Sequence, residues 1–314
     1  MKQIDNKYFI ITIDTEADNQ WDSSHDCSTL NVKFLPRFQE LAEKYGFKPT
    51  WLTTYEMAND GRFVRYFKKK QDNGLCEIGM HLHAWNTPPE YKLDSKTENR
   101  SYLIEYPLEI IDEKIKNLDR MLTKRFGVKP ISHRAGRWAM NDDYFKILGK
   151  YGYKVDCSIT PHINWNKSLG ETGIPGSNYE KYNEKPLLIN NILEVPMTIR
   201  KVHQIQFDRI KNIRGLFGEM KRFVLGRNQW MRPDKHLNIS GLKRIIKKCS
   251  KKNEYIMFMV HSSELMPGGS PNFKHKDDIE NLYIIIEKCF SYAKEMGYTG
   301  CTLSEYYSIL NSIK

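Results

Sequence analysis

Three acids, Asp14, Glu16 and Asp18, follow an apolar run in FIITIDTEAD, and two histidines, His81 and His83, follow another in CEIGMHLH. Phe9, Ile10, Ile11 and Ile13 have the composition of a strand covered on both faces, so the acids fall where that strand emerges. Cys76 to Met80 read as a second short strand, and period-two alternation puts His81 and His83 on one side of it. Two imidazoles joined by one or two carboxylates make a three- or four-ligand site for a divalent cation. Such an ion lowers the pKa of bound water towards ~7 and polarises a carbonyl oxygen. A carboxylate left free takes the water's proton, and a histidine on another strand protonates the leaving group, which amounts to hydrolysis of an amide or ester. Singly these signals are weak: acids at a strand end are ordinarily just solvated, and one H-x-H pair is as readily structural as ligating.

Polar residues gather at other places of the same kind. ISHRAGRW ends a strand-like run with His133, Arg134 and Arg137, YKVDCSITPH carries Asp156 within one, and YIMFMVHSSEL ends a very apolar run with His261 and Glu264. Active sites of parallel α/β barrels lie at the C-terminal ends of the strands, so this accumulation at successive strand ends predicts one site. Asp18, His25 and His133 are near-site candidates. Trp51, Trp85 and Trp138 read first as core, although tryptophans near strand ends also suit stacking on a sugar ring.

The elements that must position these residues recur along the chain. AEKYGFKPTWLTT, LTKRFGVKPISHRA, LGKYGYKVDCSIT and AKEMGYTGCTL each run from an amphipathic segment through a glycine into an apolar stretch. Gly46, Gly127, Gly152 and Gly297 stand where a helix C-cap requires a left-handed residue, so each is a helix-to-strand joint. Ile111, Ile115, Leu118, Leu122 and Phe126 have helical spacing, and Asn141 is placed to cap the helix that follows it. Helices alternating with buried strands predict a mostly parallel α/β sheet or (β/α) barrel. No Pro-, Gly- or Ser-rich linker divides the chain, so a single domain is expected over 1–314, with a loop-rich insertion at about 162–192 and a basic amphipathic insertion at about 200–252.

The 314 residues carry a formal charge of +11, and their six cysteines form no CxxC pair, which favours reduced structural thiols. MKQIDNKYF has no basic stretch leading into a long apolar one, and no apolar run approaches the ~20 residues of a membrane span, so a soluble cytoplasmic protein is expected. Between Arg200 and Lys252 there are 16 Lys and Arg against three acids, 16 − 3 = +13, more than the excess of the whole chain. Ile210, Ile213, Phe217, Met220 and Val224 recur there at helical spacing. The ordinary reading is an outer helix packing that stripe on the core; the sharper one is docking on an anionic membrane surface. The run lacks zinc-finger spacing or an aromatic RNA-binding motif, so charge alone argues for no specific nucleic acid.

Together the motifs resemble the polysaccharide deacetylase family, also called NodB-homology or carbohydrate esterase family four. TIDTE is similar to its first motif, EIGMHLH to its histidine motif, and SHRAGRW and MVHSS to its arginine and final-histidine motifs, over about residues 8 to 265. The spelling is closest to the divergent branch associated with lipopolysaccharide and surface-glycan biosynthesis. The resemblance implies a NodB-like, seven-stranded distorted barrel, a divalent metal, usually Zn2+, and removal of an N- or O-acetyl group from a sugar. It implies Asp14 as catalytic base, Arg134 as the arginine orienting it, His261 as general acid and Asp156 as the acid tuning that histidine. Thr15 stands where the family has a second Asp and Trp85 where it has a second His, so the metal ligands the resemblance implies are His81, His83 in place of the second histidine, and Glu16, with Asp18 the alternative acid. With an acetylated sugar as partner, lipid- or nucleotide-linked, Trp85, Trp138, Arg137 and Glu264 are the candidate substrate contacts. A glycan-binding or scaffolding protein that kept the fold without catalysis is the rival expectation, and a metal-dependent phosphatase is another, because metal and carboxylate alone do not name the bond cleaved.

Overall fold

A computed structural model of the protein describes residues 6–22, 27–203, 205, 210–233 and 239–312. The first half runs β1 (Lys7–Thr15), α1 (Leu35–Lys44), β2 (Pro49–Thr53), α2 (Tyr55–Asn59), α3 (Gly61–Asp72), β3 (Glu77–Leu82), α4 (Leu108–Phe126), β4 (Ser132–Ala135), α5 (Asp142–Lys150) and β5 (Val155–Asp156). The second half adds β6 (Leu187–Ile189), β7 (Ile192–Glu194), β8 (Ile199–Val202), α6 (Ile213–Leu225), β9 (Arg227–Trp230), α7 (Ile239–Ser250), β10 (Ile256–His261), α8 (Lys276–Glu295), β11 (Tyr298–Cys301) and α9 (Leu303–Ser312).

Strands β10, β1, β2, β3, β4, β5 and β7 lie side by side in one parallel run of seven. The complete sheet has nine strands, because β6 adds antiparallel to β7 and β11 pairs with the first residues of β1. It curls into a half-barrel with helices outside, a NodB-like α/β architecture, and among the described residues no strand pairing joins β10 to β6.

The two faces of the sheet follow from side-chain alternation. Phe9, Ile11 and Ile13 of β1 point outward into a core with Phe38 of α1, Phe67 of α3 and Phe290 of α8. Ile10 points inward to a second cluster with Leu52, Val155, Met257 and Met259. The helices form as their sequence implies: Ile111, Ile115, Leu118, Leu122 and Phe126 are the buried stripe of α4, which ends at Gly127 with φ 77°. Asn141 accepts a hydrogen bond from the Tyr144 amide and caps α5. Five cysteines, Cys76, Cys157, Cys249, Cys289 and Cys301, are buried free thiols.

The segment 162–192 is irregular up to β6, yet it is held in place. Bridges join Asn164 to Asn178 and Leu169 to Pro175, the Tyr102 hydroxyl donates to Ser168 O, and Glu105 accepts from the amide of Thr172. Within 200–252, β8 and β9 form an antiparallel hairpin with α6 between them, whereas α7 buries Leu242, Ile245, Ile246 and Cys249 in the outer core. The expectation that the stripe of α6 packs on the core is overturned: Ile213, Phe217, Met220 and Val224 all face outward and are exposed. Gly215 and Gly218 are half-buried and Glu219 is buried, so α6 presents its smallest residues and its acid to the protein. Among the described residues no helix is long and apolar enough to cross a membrane.

Candidate active site

Four strand ends converge on one cleft. Asp14 at the end of β1 stands in register with His261 at the end of β10, and His81 at the end of β3 stands in register with Arg134 of β4. Thr12, Asp14, Met257, Met259 and His261 share the inward parity, and so do Gly79, His81 and Arg134 across β3 and β4. A Cβ on Gly79 would lie 2.3 Å from Ser132 Oγ, which shows how closely β3 and β4 approach beneath His81.

Asp14 is the centre of the arrangement. Its Oδ1 accepts from Arg134 Nη1 at 2.5 Å, and its Oδ2 stands 3.9 Å from His81 Nε2 and 3.8 Å from His261 Nε2. Arg134 is fixed from behind, donating through Nε to Cys157 O and through Nη2 to Thr12 Oγ1. Burial pushes the Asp14 carboxyl up, but the Arg134 guanidinium, helped by His81 and His261, overrides it and holds the group down at about 2. The carboxylate is therefore ionised, and it adjoins a histidine on each side.

Glu16, His81 and His83 are buried and offer three donor atoms within 4.8 Å of one another. His81 Nδ1 donates to Arg134 O at 2.9 Å, which leaves its Nε2 lone pair directed at His83 Nε2, 3.1 Å away. His83 Nε2 in turn is 3.4 Å from Glu16 Oε2. Burial lowers His81 to about 4 and His83 well below its ordinary value, so both rings are neutral at pH 7. Burial, with Asp14 adding, raises Glu16 well above the carboxylate range. Two neutral imidazole nitrogens facing each other and a carboxyl oxygen beside them fit a divalent cation, and a set of two histidines and one carboxylate is one that Zn2+ accepts. Thr15 is buried on the opposite parity, donating to Ile13 O, while Glu16 recovers the parity of Asp14. Trp85 stacks on the His83 ring with centroids 4.2 Å apart.

His261 is held by Glu264, whose Oε2 lies 3.3 Å from His261 Nδ1 and accepts from the His261 amide. Arg232 donates to the other Glu264 oxygen at 2.6 Å. Burial raises the Glu264 carboxyl, and Arg232 with His261 outweighs it to leave the group at about 2.

Two expectations are corrected here. Asp156 does not meet His261: it is in register with His133, outside the inward row, and its Oδ1 accepts from His133 Nδ1 at 2.6 Å while Tyr144 OH donates to His133 Nε2. Glu264 is not a surface of the cleft but a buried partner of His261, the place expected for Asp156. Of the near-site candidates, His133 belongs to that same buried cluster. Asp18 organises a loop by accepting from the amides of Leu30 and Asn31, and His25 lies outside the described residues. Trp51 is core, its Nε1 donating to Gln39 Oε1.

The cleft above these groups measures about 800 Å³ and is bordered by Asp14, Glu16, His81, His83 and His261 on its floor. Trp85, Arg137 and Trp138 line it as expected. Arg137 and Trp138 both have left-handed backbones, φ 54° and 62°, a pairing that costs roughly 1–3 kcal/mol per residue and clusters at binding sites. Sequence reasoning missed Trp21, Trp165 and Trp230, together with Arg100 and Arg232, which come from loops and from the β9 hairpin. Trp21 meets the His261 ring edge-on at 5.0 Å, and Trp230 lies 5.5 Å from Trp138 and 6.3 Å from Trp165. The signal available was compositional: of six tryptophans in the chain, every one except Trp51 lines this cleft.

No family model and no curated protein matches the sequence. Solved structures do resemble the fold. A Mycobacterium smegmatis protein assigned as a polysaccharide deacetylase superposes with TM-score 0.56 at 11% identity, covering 99% of this chain and 93% of that one. Two glycoside hydrolase family 57 branching enzymes follow: one from Thermococcus kodakaraensis at TM-score 0.54 and 12% identity, covering 96% and 71%, and one from Pyrococcus horikoshii at 0.51 and 11%, covering 98% and 70%. At these identities the likeness is one of fold, and the fold is shared by proteins described for different reactions.

Proposed function

We propose that this chain is a metal-dependent carbohydrate deacetylase. The observation that carries the reading is the placement of Asp14 Oδ2 between His81 and His261, beside the Glu16, His81 and His83 donor set and beneath a tryptophan-lined cleft. Glu16, His81 and His83 would hold the ion, most simply Zn2+, which when bound supplies Lewis-acid activation of water and of a carbonyl oxygen. Asp14, oriented by Arg134, takes a proton from the attacking water as its oxygen bonds to the acetyl carbon. His261, positioned by Glu264, gives a proton to the sugar nitrogen or oxygen as its bond to that carbon breaks, and acetate leaves. Trp85, Trp138 and Arg137 would bind the sugar, for which flat aromatic faces are suited.

The setting we assign is surface-polysaccharide or lipopolysaccharide assembly in the cytoplasm, on an acetylated sugar carried by a lipid or a nucleotide. We assign one domain over the whole chain, with the loop of 162–192 and the hairpin bearing α6 as insertions. Metal content with acetate release tests the reading. About one equivalent of zinc in the wild type, lost in the His81→Ala, His83→Ala double variant together with acetate release from acetylated sugars, supports it. No ion bound by the wild type after zinc is supplied would turn the assignment to a non-catalytic glycan-binding protein.

A further inference from the structure

Helix α6 is amphipathic in the reverse sense for a helix on a core. Ile213, Phe217, Met220 and Val224 fall on one stripe and are 72%, 67%, 50% and 72% exposed, with Leu216 and Phe223 exposed on its flank. Arg214 and Lys221 lie along the other flank of the stripe, about a quarter turn away, and are exposed, as is Lys211 before the helix. Glu219, the helix's one acid, is buried. The outward surface therefore offers apolar and cationic groups and no carboxylate. A contiguous apolar patch framed in this way marks an interaction surface.

We infer that α6 lies flat in the headgroup region of an anionic lipid bilayer, its stripe toward the acyl chains and Lys211, Arg214 and Lys221 on lipid phosphates. Charge selects this occupant. Arg214 and Lys221 exposed on α6, with Lys211 before it and the helix's one acid buried, disfavour a second copy of the same surface and favour an anionic plane. Continuity with the cleft gives the docking a purpose: Gly226 alone separates α6 from β9, whose residues Arg227 to Trp230 line the cleft wall. A helix seated in the interface thus holds the cleft beside the bilayer, where a lipid-carried substrate presents its sugar. The docking rests on the exposure and charge of α6, while the purpose given to it rests on the function proposed above.

Flotation of the full chain with vesicles tests it. The protein is expected to float with phosphatidylcholine vesicles containing phosphatidylglycerol, to float far less with phosphatidylcholine alone, and to lose binding as salt is raised. Phe217→Glu with Val224→Glu should reduce binding roughly tenfold or more, and Arg214→Gln with Lys221→Gln should weaken it on anionic vesicles alone. Far-UV circular dichroism, zinc content and acetate release on a water-soluble acetyl sugar should be unchanged in both variants, which separates failure of docking from failure of the proposed reaction. Wild-type protein that stays off anionic vesicles at low salt overturns the inference, as does a concentration-dependent dimer that the Phe217→Glu, Val224→Glu variant abolishes.

Discussion

Arg134 and Asp14 form a fully buried ion pair at 2.5 Å, and the same arginine offers its main-chain carbonyl to His81 Nδ1. One residue thereby holds the proposed base ionised and sets the tautomer of a proposed metal ligand. Breaking a buried pair from one side strands the other charge, at a cost of about 3–5 kcal/mol. Asp14→Asn should therefore lower acetate release by roughly 100- to 10,000-fold and also lower unfolding stability by about 3 kcal/mol. Arg134→Met should destabilise similarly, and the double variant should be less destabilised than the sum of the two. Urea unfolding of the four proteins measures the coupling, and additive effects would exclude the pair as a unit.

Glu264 is held at about 2, against an ordinary 4.5, by Arg232 and His261. A depressed carboxyl contributes stability that is complete above 4.5 and is lost as pH falls through about 2. Between those limits the wild type should lose stability more steeply than Glu264→Gln, which has no proton to take up. At neutral pH the same variant should reduce kcat with little change in KM, because His261 loses its positioning partner. Equal pH slopes for the two proteins would contradict the assignment.

Gly136 brings β4 against the end of β3: a Cβ there would lie 2.6 Å from Leu82 O and 2.8 Å from His83 Cδ2. The first contact is backbone, so Gly136→Ala must move either the strand end or the His83 ring. Zinc affinity is expected to fall by about 10-fold or more, as when a ligand's support is lost, with the protein still folded. Competition with a chromogenic chelator reads it directly, beside His83→Ala; affinity unchanged in both variants would show that His83 does not ligate.

Trp138 has a left-handed backbone and packs its ring beside both the Arg134 guanidinium, at 5.0 Å, and Trp230. If the cleft binds a sugar by aromatic contact, Trp138→Ala should raise KM roughly tenfold on an oligosaccharide while kcat changes less. A loss confined to kcat would place Trp138 with the reacting groups instead.

How far the chain could be read follows from the range of each interaction. Alternation is a property of adjacent residues, so FIITIDTEAD and EIGMHLH disclosed which side chains share a side: Asp14 with Glu16 and Asp18, and His81 with His83. The helix-to-strand joints at Gly46, Gly127, Gly152 and Gly297 are equally local, and each has a positive φ. Glu264 as partner of His261 was a local signal that went unread: it lies three residues on and closes a capping turn after β10. The place of Asp156 was not local, because its register with His133 is set when β4 and β5 dock.

The sequence by itself determined the repeating strand and helix pattern, the acids and histidines at the strand ends, and the surplus of basic residues near α6, because each is carried by residues a few positions apart. Only the tertiary structure decided that tryptophans from separate loops and from β9 form one cleft, that Asp14 sits between His81 and His261, and that α6 turns its apolar stripe outward. Helical periodicity defines a stripe but not its direction, since that depends on which neighbours bury it.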